Sequence, residues 1–321
     1  MTRKRVLLFS GQGAQYYQMG RGLYEGDPTF RATMQRLDAQ VVDTLGVSVL
    51  AELYGARGRA EPFEDLRLTH PAIFMVEYAL AQVYREQGAA ADYALGASLG
   101  TLAALAVAGA LAVTDALALV LAQARIIVDA CPPGGMIGVL ADPRLYRESP
   151  ELRARAVLAG QNFATHFVLS SPQAHLEHVE ASLRAADVTH QRLPVRYPFH
   201  SPWMEPIRAQ LIAAFDDAAP RPGALPVICC ALGAALDAPS AQHLWRVARD
   251  PIDFMHTIDR LELEGPFDYV DLSPSGTLAT FLKYHLGPGA ASRVVAVMSP
   301  FGGETTASVA AALDRLERAP R

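Results

Sequence analysis

The sequence predicts an α/β fold with a parallel sheet, into which a small α+β subdomain is inserted. Short apolar runs end in glycine turns near residues 11 and 98, and long apolar helices accompany them. The composition then changes abruptly at CPPGG, residues 131–135. The 321 residues are enough for a main domain with an insert, because domains typically have about 100–200 residues.

The first elements follow from apolar runs and their end signals. RVLLF, residues 5–9, is a short continuous apolar run, so it predicts a buried strand that Gly11 ends. In residues 27–54 polar and apolar side chains are mixed, and the apolar ones recur at helical spacing. THPAIFMVEYALAQVYREQG predicts a helix that begins at His70 and Pro71 and ends at Gly88.

The next segment is the most apolar part of the chain. ADYALGASLG predicts a strand and a tight turn; a buried helix, a break near Gly109 and a second helix from Thr114 follow. Thr114 and Asp115 interrupt the apolar stretch Leu102–Ala122. A membrane span needs about 20 continuous apolar residues, so we expect buried helices and no membrane association.

The insert is predicted from residue 131 to 194. It contains the strand-like runs MIGVL and HFVLS, the amphipathic helix QAHLEHVEASLRAAD and a further strand in VTHQRLPV. The large domain then comprises residues 1–130 and 195–321. It resumes near YPFHSP, and a parallel strand is predicted in FDYVDLSPSG around residue 270.

Charge and cysteine content exclude several classes of function. The net charge of −5 disfavours nucleic acid as a partner. Three cysteines without regular spacing predict neither a disulfide framework nor a metal site, because no Cys-x-x-Cys or His-x-x-x-His pair occurs. We therefore expect a cytoplasmic protein that binds no metal.

The segment GASLG, residues 96–100, fits the pattern G-x-S-x-G between a predicted strand and a predicted helix. In that context the serine, Ser98, is a candidate nucleophile, and the N–H of Leu99 points toward a developing oxyanion. The general base must lie elsewhere in the chain. Among nine histidines, His200 is the best candidate, because RYPFHSPWM places it in a proline-bounded loop.

Five ordered motifs carry a family resemblance over nearly the whole chain: FSGQGAQYYQMG, GASLG, CPPGGMIGVL, YPFHSPWM and VDLSPSGTLATFLKY. The chain resembles malonyl-CoA:acyl-carrier-protein transacylases and the acyltransferase domains of polyketide synthases. The resemblance implies an α/β-hydrolase-like large subdomain and a ferredoxin-like small one. It also implies ping-pong acyl transfer between phosphopantetheine thioesters, acyl carrier proteins as partners and no bound cofactor.

The resemblance implies roles for individual residues. Ser98 is the nucleophile, His200 the general acid/base, and the N–H groups of Gln12 and Leu99 form the oxyanion hole. A residue in PIDF, Asp253, orients the histidine through its carbonyl or its carboxylate. The substrate-binding positions are Ala97, Gln123, Asn162 and Phe199.

The chain departs from the family pattern around the serine. Ala97 replaces the usual histidine and Thr101 the usual glutamate. Malonyl-transferring members hold the acyl carboxylate with an arginine 25 residues after the serine, a position that Gln123 occupies here. Arg125 is a poor substitute, because two residues on a helix are about 200° of rotation.

A buried carboxylate needs a cation, so Gln123 favours a non-carboxylated acyl group, of which aminoacyl and peptidyl groups are examples. The first hypothesis is an acyltransferase of this kind in polyketide, and hence antibiotic, biosynthesis. The alternative is a hydrolase that strips acyl groups from carrier proteins in a trans-acyltransferase pathway. Malonyl transfer and a non-catalytic scaffold are disfavoured. Because carrier proteins are acidic, Arg153, Arg155 and Arg196 are predicted to dock one.

Overall fold

The computed structural model describes residues 3–218, 220–236, 239–301 and 305–318. The strands in these ranges are β1 (Lys4–Phe9), β2 (Tyr93–Gly96), β3 (Gly134–Val139), β4 (Val157–Phe163), β5 (His166–Pro172), β6 (His190–Arg192), β7 (Val227–Cys229), β8 (Ala234–Leu236), β9 (Ile252–Asp253), β10 (Phe267–Asp271) and β11 (Arg293–Ala296). The helices are α1 (Arg21–Gly26), α2 (Pro28–Leu45), α3 (Val49–Leu53), α4 (Leu66–Glu86), α5 (Gly100–Val107), α6 (Val113–Ala130), α7 (Arg144–Glu148), α8 (Pro150–Arg153), α9 (Leu176–Ala185), α10 (Arg208–Asp216), α11 (Ala241–Arg249), α12 (Phe254–Glu262), α13 (Thr277–Leu286) and α14 (Thr306–Arg318). Two short 3-10 helices cover Gln173–His175 and Pro202–Ile207.

The larger sheet has the strand order β11-β10-β1-β2-β7-β8 and is parallel except for the β7–β8 pair. In the register of β1 and β2, Phe9 lies beside Gly96. The carboxyl ends of these two strands therefore meet at one edge, where parallel α/β sheets commonly carry ligand sites. The predicted parallel sheet is confirmed.

The smaller sheet has the order β6-β3-β5-β4-β9. Its chain path from β3 to β6 is strand, helices, strand, strand, helix, strand, with antiparallel pairs, which is the ferredoxin-like arrangement. The fold class is thus confirmed. β9, from residues 252–253, joins β4 in parallel. It comes from outside the predicted insert of residues 131–194, so the large part of the chain completes the small sheet.

Two helix boundaries differ from the prediction. α4 begins at Leu66, one turn before His70, because the side chain of Asp65 accepts a hydrogen bond from the N–H of Arg67. α6 begins at Val113 rather than Thr114. Within the described ranges, no helix combines the length and the apolar character that crossing a membrane requires.

Candidate active site

Ser98 lies in the tight turn between β2 and α5 and has a φ of 56°. Backbone in this left-handed region is strained for a residue other than glycine, and such strain is typical of a nucleophile turn. Gly100 is required for packing, since a Cβ there would overlap the carbonyl of Phe9. Strand and helix therefore approach closely and raise the serine hydroxyl at a helix N-terminus.

The structure brings Ser98 together with His200, 102 residues away. The Oγ of Ser98 lies 2.8 Å from Nε2 of His200, and Nδ1 of the same ring lies 2.9 Å from the carbonyl oxygen of Asp250. A carbonyl only accepts hydrogen bonds, so Nδ1 carries the hydrogen and donates it to Asp250. Nε2 is left with a lone pair that faces the serine hydroxyl, as a general base requires.

The prediction that Asp253 orients His200 is wrong. The carboxylate of Asp253 lies 2.7 Å from Nδ1 of His256, and its carbonyl accepts a hydrogen bond from Thr257. Asp250 caps the C-terminus of α11, where a carbonyl has no donor from within the helix. The end of that helix therefore supplies the acceptor.

Burial keeps His200 neutral. Its side chain is 3% exposed, and this loss of solvation lowers the pKa of His200 to about 4, partly opposed by the hydrogen bond to Asp250. At neutral pH the imidazole is therefore unprotonated and able to take a proton from Ser98.

The turn after β1 lies directly against the serine. A Cβ on Gly11 would lie 2.9 Å from the Cβ of Ser98 and 3.3 Å from the amide nitrogen of Leu99, so a larger residue would separate the two turns. Within the described residues, no backbone carbonyl accepts the N–H of Gln12 or of Leu99. Two free N–H donors beside the nucleophile are what an oxyanion hole needs.

A buried carboxyl group that the sequence analysis missed holds the turn after β1. Glu77 on α4 is fully buried, and its Oε1 accepts hydrogen bonds from the N–H (2.7 Å) and the hydroxyl (2.9 Å) of Ser10. Thr69 of the same helix donates to Oε1 of Gln12 at 3.1 Å. Burial raises the pKa of Glu77 well above its ordinary value. α4 therefore fixes both ends of the Ser10–Gln12 segment.

Ser98 opens into a cavity of about 210 Å³ between the two sheets. The predicted substrate-binding residues Ala97, Gln123, Asn162 and Phe199 all line it. None of the described lining residues is Arg, Lys, Asp or Glu, and Arg125 is exposed, as the helical rotation predicts. The walls are mainly apolar and aromatic, so the cavity suits an uncharged group.

The comparison with known proteins identifies the family. The model of the acyl transferase domain matches residues 6–317. The chain belongs to the acyl transferase domain family. This result confirms the resemblance predicted from the five motifs, and the chain is an acyltransferase by family.

Two polyketide biosynthesis proteins and one solved acyltransferase are similar to most of this chain. The polyketide biosynthesis protein ThaF of Burkholderia thailandensis is 42% identical over 304 residues, which are 94% of this chain but only 26% of ThaF. The polyketide biosynthesis acyltransferase homolog BaeD of Bacillus velezensis is 41% identical over 307 residues, 95% of both proteins. A solved loading acyltransferase from the avermectin modular polyketide synthase superposes with a TM-score of 0.88 at 26% identity, over 98% of this chain and 99% of that one.

Two of the arginines predicted to dock a carrier protein, Arg153 and Arg155, are two residues apart at the end of α8, and the third, Arg196, follows β6. Arg153 at the end of α8 is exposed, and Arg155 donates to the carbonyl of Glu151. Arg196 forms an exposed ion pair with Glu64, which leaves its charge partly neutralised. Docking by these residues stays a prediction.

Proposed function

We propose that the chain transfers a non-carboxylated acyl group onto or between acyl carrier proteins in polyketide biosynthesis, through an ester on Ser98. The family supports acyl transfer. The names of ThaF and BaeD support the polyketide context, since both are called polyketide biosynthesis proteins.

The observation that carries the choice of acyl group is the uncharged cavity. Gln123 stands at the position predicted to meet the far end of the acyl group, and it is 8% exposed. A malonyl carboxylate would be buried there without a cation. Leaving one member of a buried charge pair unpaired costs on the order of 2–5 kcal/mol, or roughly 30- to several thousandfold in selectivity.

The proposed reaction has two half-reactions. Nε2 of His200 takes the proton of Ser98 as Oγ bonds to the thioester carbon, and the N–H groups of Gln12 and Leu99 receive the oxyanion. The carbon–sulfur bond then breaks, and His200 returns the proton to the departing thiolate. A second phosphopantetheine thiol then gives its proton to His200 as its sulfur bonds to the ester carbon. The bond from that carbon to Oγ breaks as His200 returns the proton to Ser98.

Loading experiments test the proposal. A carrier protein bearing butyryl, N-acetylglycyl or malonyl is mixed with the enzyme, and intact mass follows acylation of Ser98 with and without a second carrier. We expect butyryl or N-acetylglycyl, which are both uncharged, to load faster than malonyl and to move to the acceptor, and the Ser98→Ala variant to remain unloaded. Faster malonyl loading would contradict the proposal. Release of free acid without an acceptor would instead identify the hydrolase.

A further inference from the structure

His70 is a buried polar group in the acyl cavity to which the reaction steps give no role. It lies on α4, lines the cavity and is 2% exposed. Its Nδ1 has no hydrogen-bond partner among the described residues. Buried polar atoms are nearly always paired in folded proteins, because water is lost without replacement, so an imidazole that lines a binding cavity and has no partner there indicates a ligand contact.

Apart from His70 and Gln123, the polar side chains that line the cavity have partners within the protein. Each makes at least one hydrogen bond: Ser10 to Glu77, Gln12 with Thr69, Ser98 with His200, Asn162 with His166, and Thr277 with Ser275. For Gln123, as for His70, the described part of the chain offers no hydrogen bond to the side chain. Two polar groups therefore remain available in a mainly apolar cavity.

The environment of His70 defines what it can bind. Burial lowers the pKa of His70 to about 3, so its ring is neutral at physiological pH. The ring faces Phe199, with centroids 6.3 Å apart, and no charged residue lines this cavity in the described ranges. A neutral imidazole exchanges hydrogen bonds with uncharged groups and gives no counter-ion to a carboxylate.

We propose that the imidazole of His70 binds an uncharged hydrogen-bonding group, a hydroxyl or an amide, on the acyl chain, with the amide of Gln123 as the second polar contact. The preferred substrate is then a polar-substituted acyl thioester rather than a plain alkanoyl one. Apolar pockets with a few placed polar groups gain their selectivity in this way. The inference rests on the proposed transfer of a non-carboxylated acyl group.

Matched substrates test this role. Carrier proteins are loaded with butyryl or with butyryl bearing a hydroxyl at carbon 2, 3 or 4, and kcat/KM for acylation of Ser98 is measured by intact mass. We expect the wild type to favour at least one hydroxylated chain over butyryl by about tenfold, the worth of one well-formed hydrogen bond. His70→Phe keeps a planar ring of similar size but no hydrogen-bonding nitrogen, and it should bring that ratio close to one.

His70→Gln is the rescue variant, because its amide can replace the hydrogen bond, and it should keep most of the preference. Thermal unfolding of both variants shows whether each is folded. If His70→Phe does not fold, the substrate ratios of the wild type and of His70→Gln still test the inference. A wild type that treats all four chains alike would overturn the inference, as would an unchanged ratio in folded His70→Phe. Failure of the proposed function looks different: malonyl would then load faster than every neutral chain.

Discussion

The substitution Gln123→Arg restores a guanidinium where malonyl-transferring relatives are expected to have one. Gln123 lines the cavity beside Ser98, and its side chain has no hydrogen-bond partner among the described residues to be lost. The cavity of about 210 Å³ leaves space for a longer side chain. We expect the variant to accept a malonyl group, whose carboxylate can make two parallel hydrogen bonds to the guanidinium.

The magnitude follows from burial. Gln123 is 8% exposed, and none of the described cavity-lining residues is Arg or Lys, so the wild type offers a malonyl carboxylate no cation to compensate for the lost water. Pairing a buried charge changes the free energy by about 2–5 kcal/mol, which corresponds to roughly 30- to several thousandfold. Gln123→Arg should therefore raise the malonyl-to-butyryl ratio of kcat/KM by this factor. When no acyl group is bound, the buried guanidinium of the variant has no anionic partner, so the melting temperature of the variant should be lower than that of the wild type.

The assay is competition between malonyl and butyryl thioesters for Ser98, followed by intact mass. Arg125→Gln is the matched control, because Arg125 is exposed on the same helix two residues away, and it should leave the ratio within twofold. The reasoning is refuted if Gln123→Arg folds and loads butyryl at the wild-type rate but leaves the malonyl-to-butyryl ratio unchanged.

Three further predictions concern the catalytic groups and the partner. Glu77→Leu removes the acceptor of two Ser10 hydrogen bonds, so kcat for acylation should fall about 10- to 100-fold with KM unchanged. Glu77→Gln keeps an acceptor oxygen, so its kcat should fall less than threefold. Equal losses of kcat in the two variants would contradict the positioning role of Glu77. Because the pKa of His200 is about 4, acylation by a small thioester should be constant above about pH 5 and fall below pH 4. A fall beginning near pH 6.5 would show an unshifted base. Arg153→Glu with Arg155→Glu should raise KM for an acidic carrier and leave a small thioester unaffected; equal effects on both would argue against docking.

The sequence predicted the parts of the fold that have local signals. Glycines on both sides of Ser98 and short apolar strands indicate the nucleophile turn without any tertiary information. β4, VLAGQNF, was missed, because irregular register near Leu158 and Gly160 disrupts the two-residue alternation that reveals a strand. β9 has only two residues, too few for any periodicity to show.

No sequence pattern identifies the residue whose carbonyl orients His200. A backbone carbonyl can come from any residue type, so the motif PIDF indicated Asp253, whereas the acceptor is the carbonyl of Asp250, three residues earlier at the C-terminus of α11. Glu77 did leave a signal: one carboxylate stands in the apolar run AIFMVEYALA, where burial on the helix is expected. Its partner, Ser10, lies 67 residues away and emerges only from the fold.

The helix α4 contributes both to the oxyanion hole and to the acyl cavity. His70 and Glu77 are seven residues apart, about two turns, so they lie on one side of α4. Glu77 reaches the end of β1 and holds the segment that presents Gln12, while His70 reaches the acyl cavity. Because the two contacts use different residues on one rigid element, a change at position 70 can alter which acyl group binds without moving the oxyanion donors. Selectivity and chemistry are then separable, which is why the ratio of two substrates, rather than the overall rate, reports on His70.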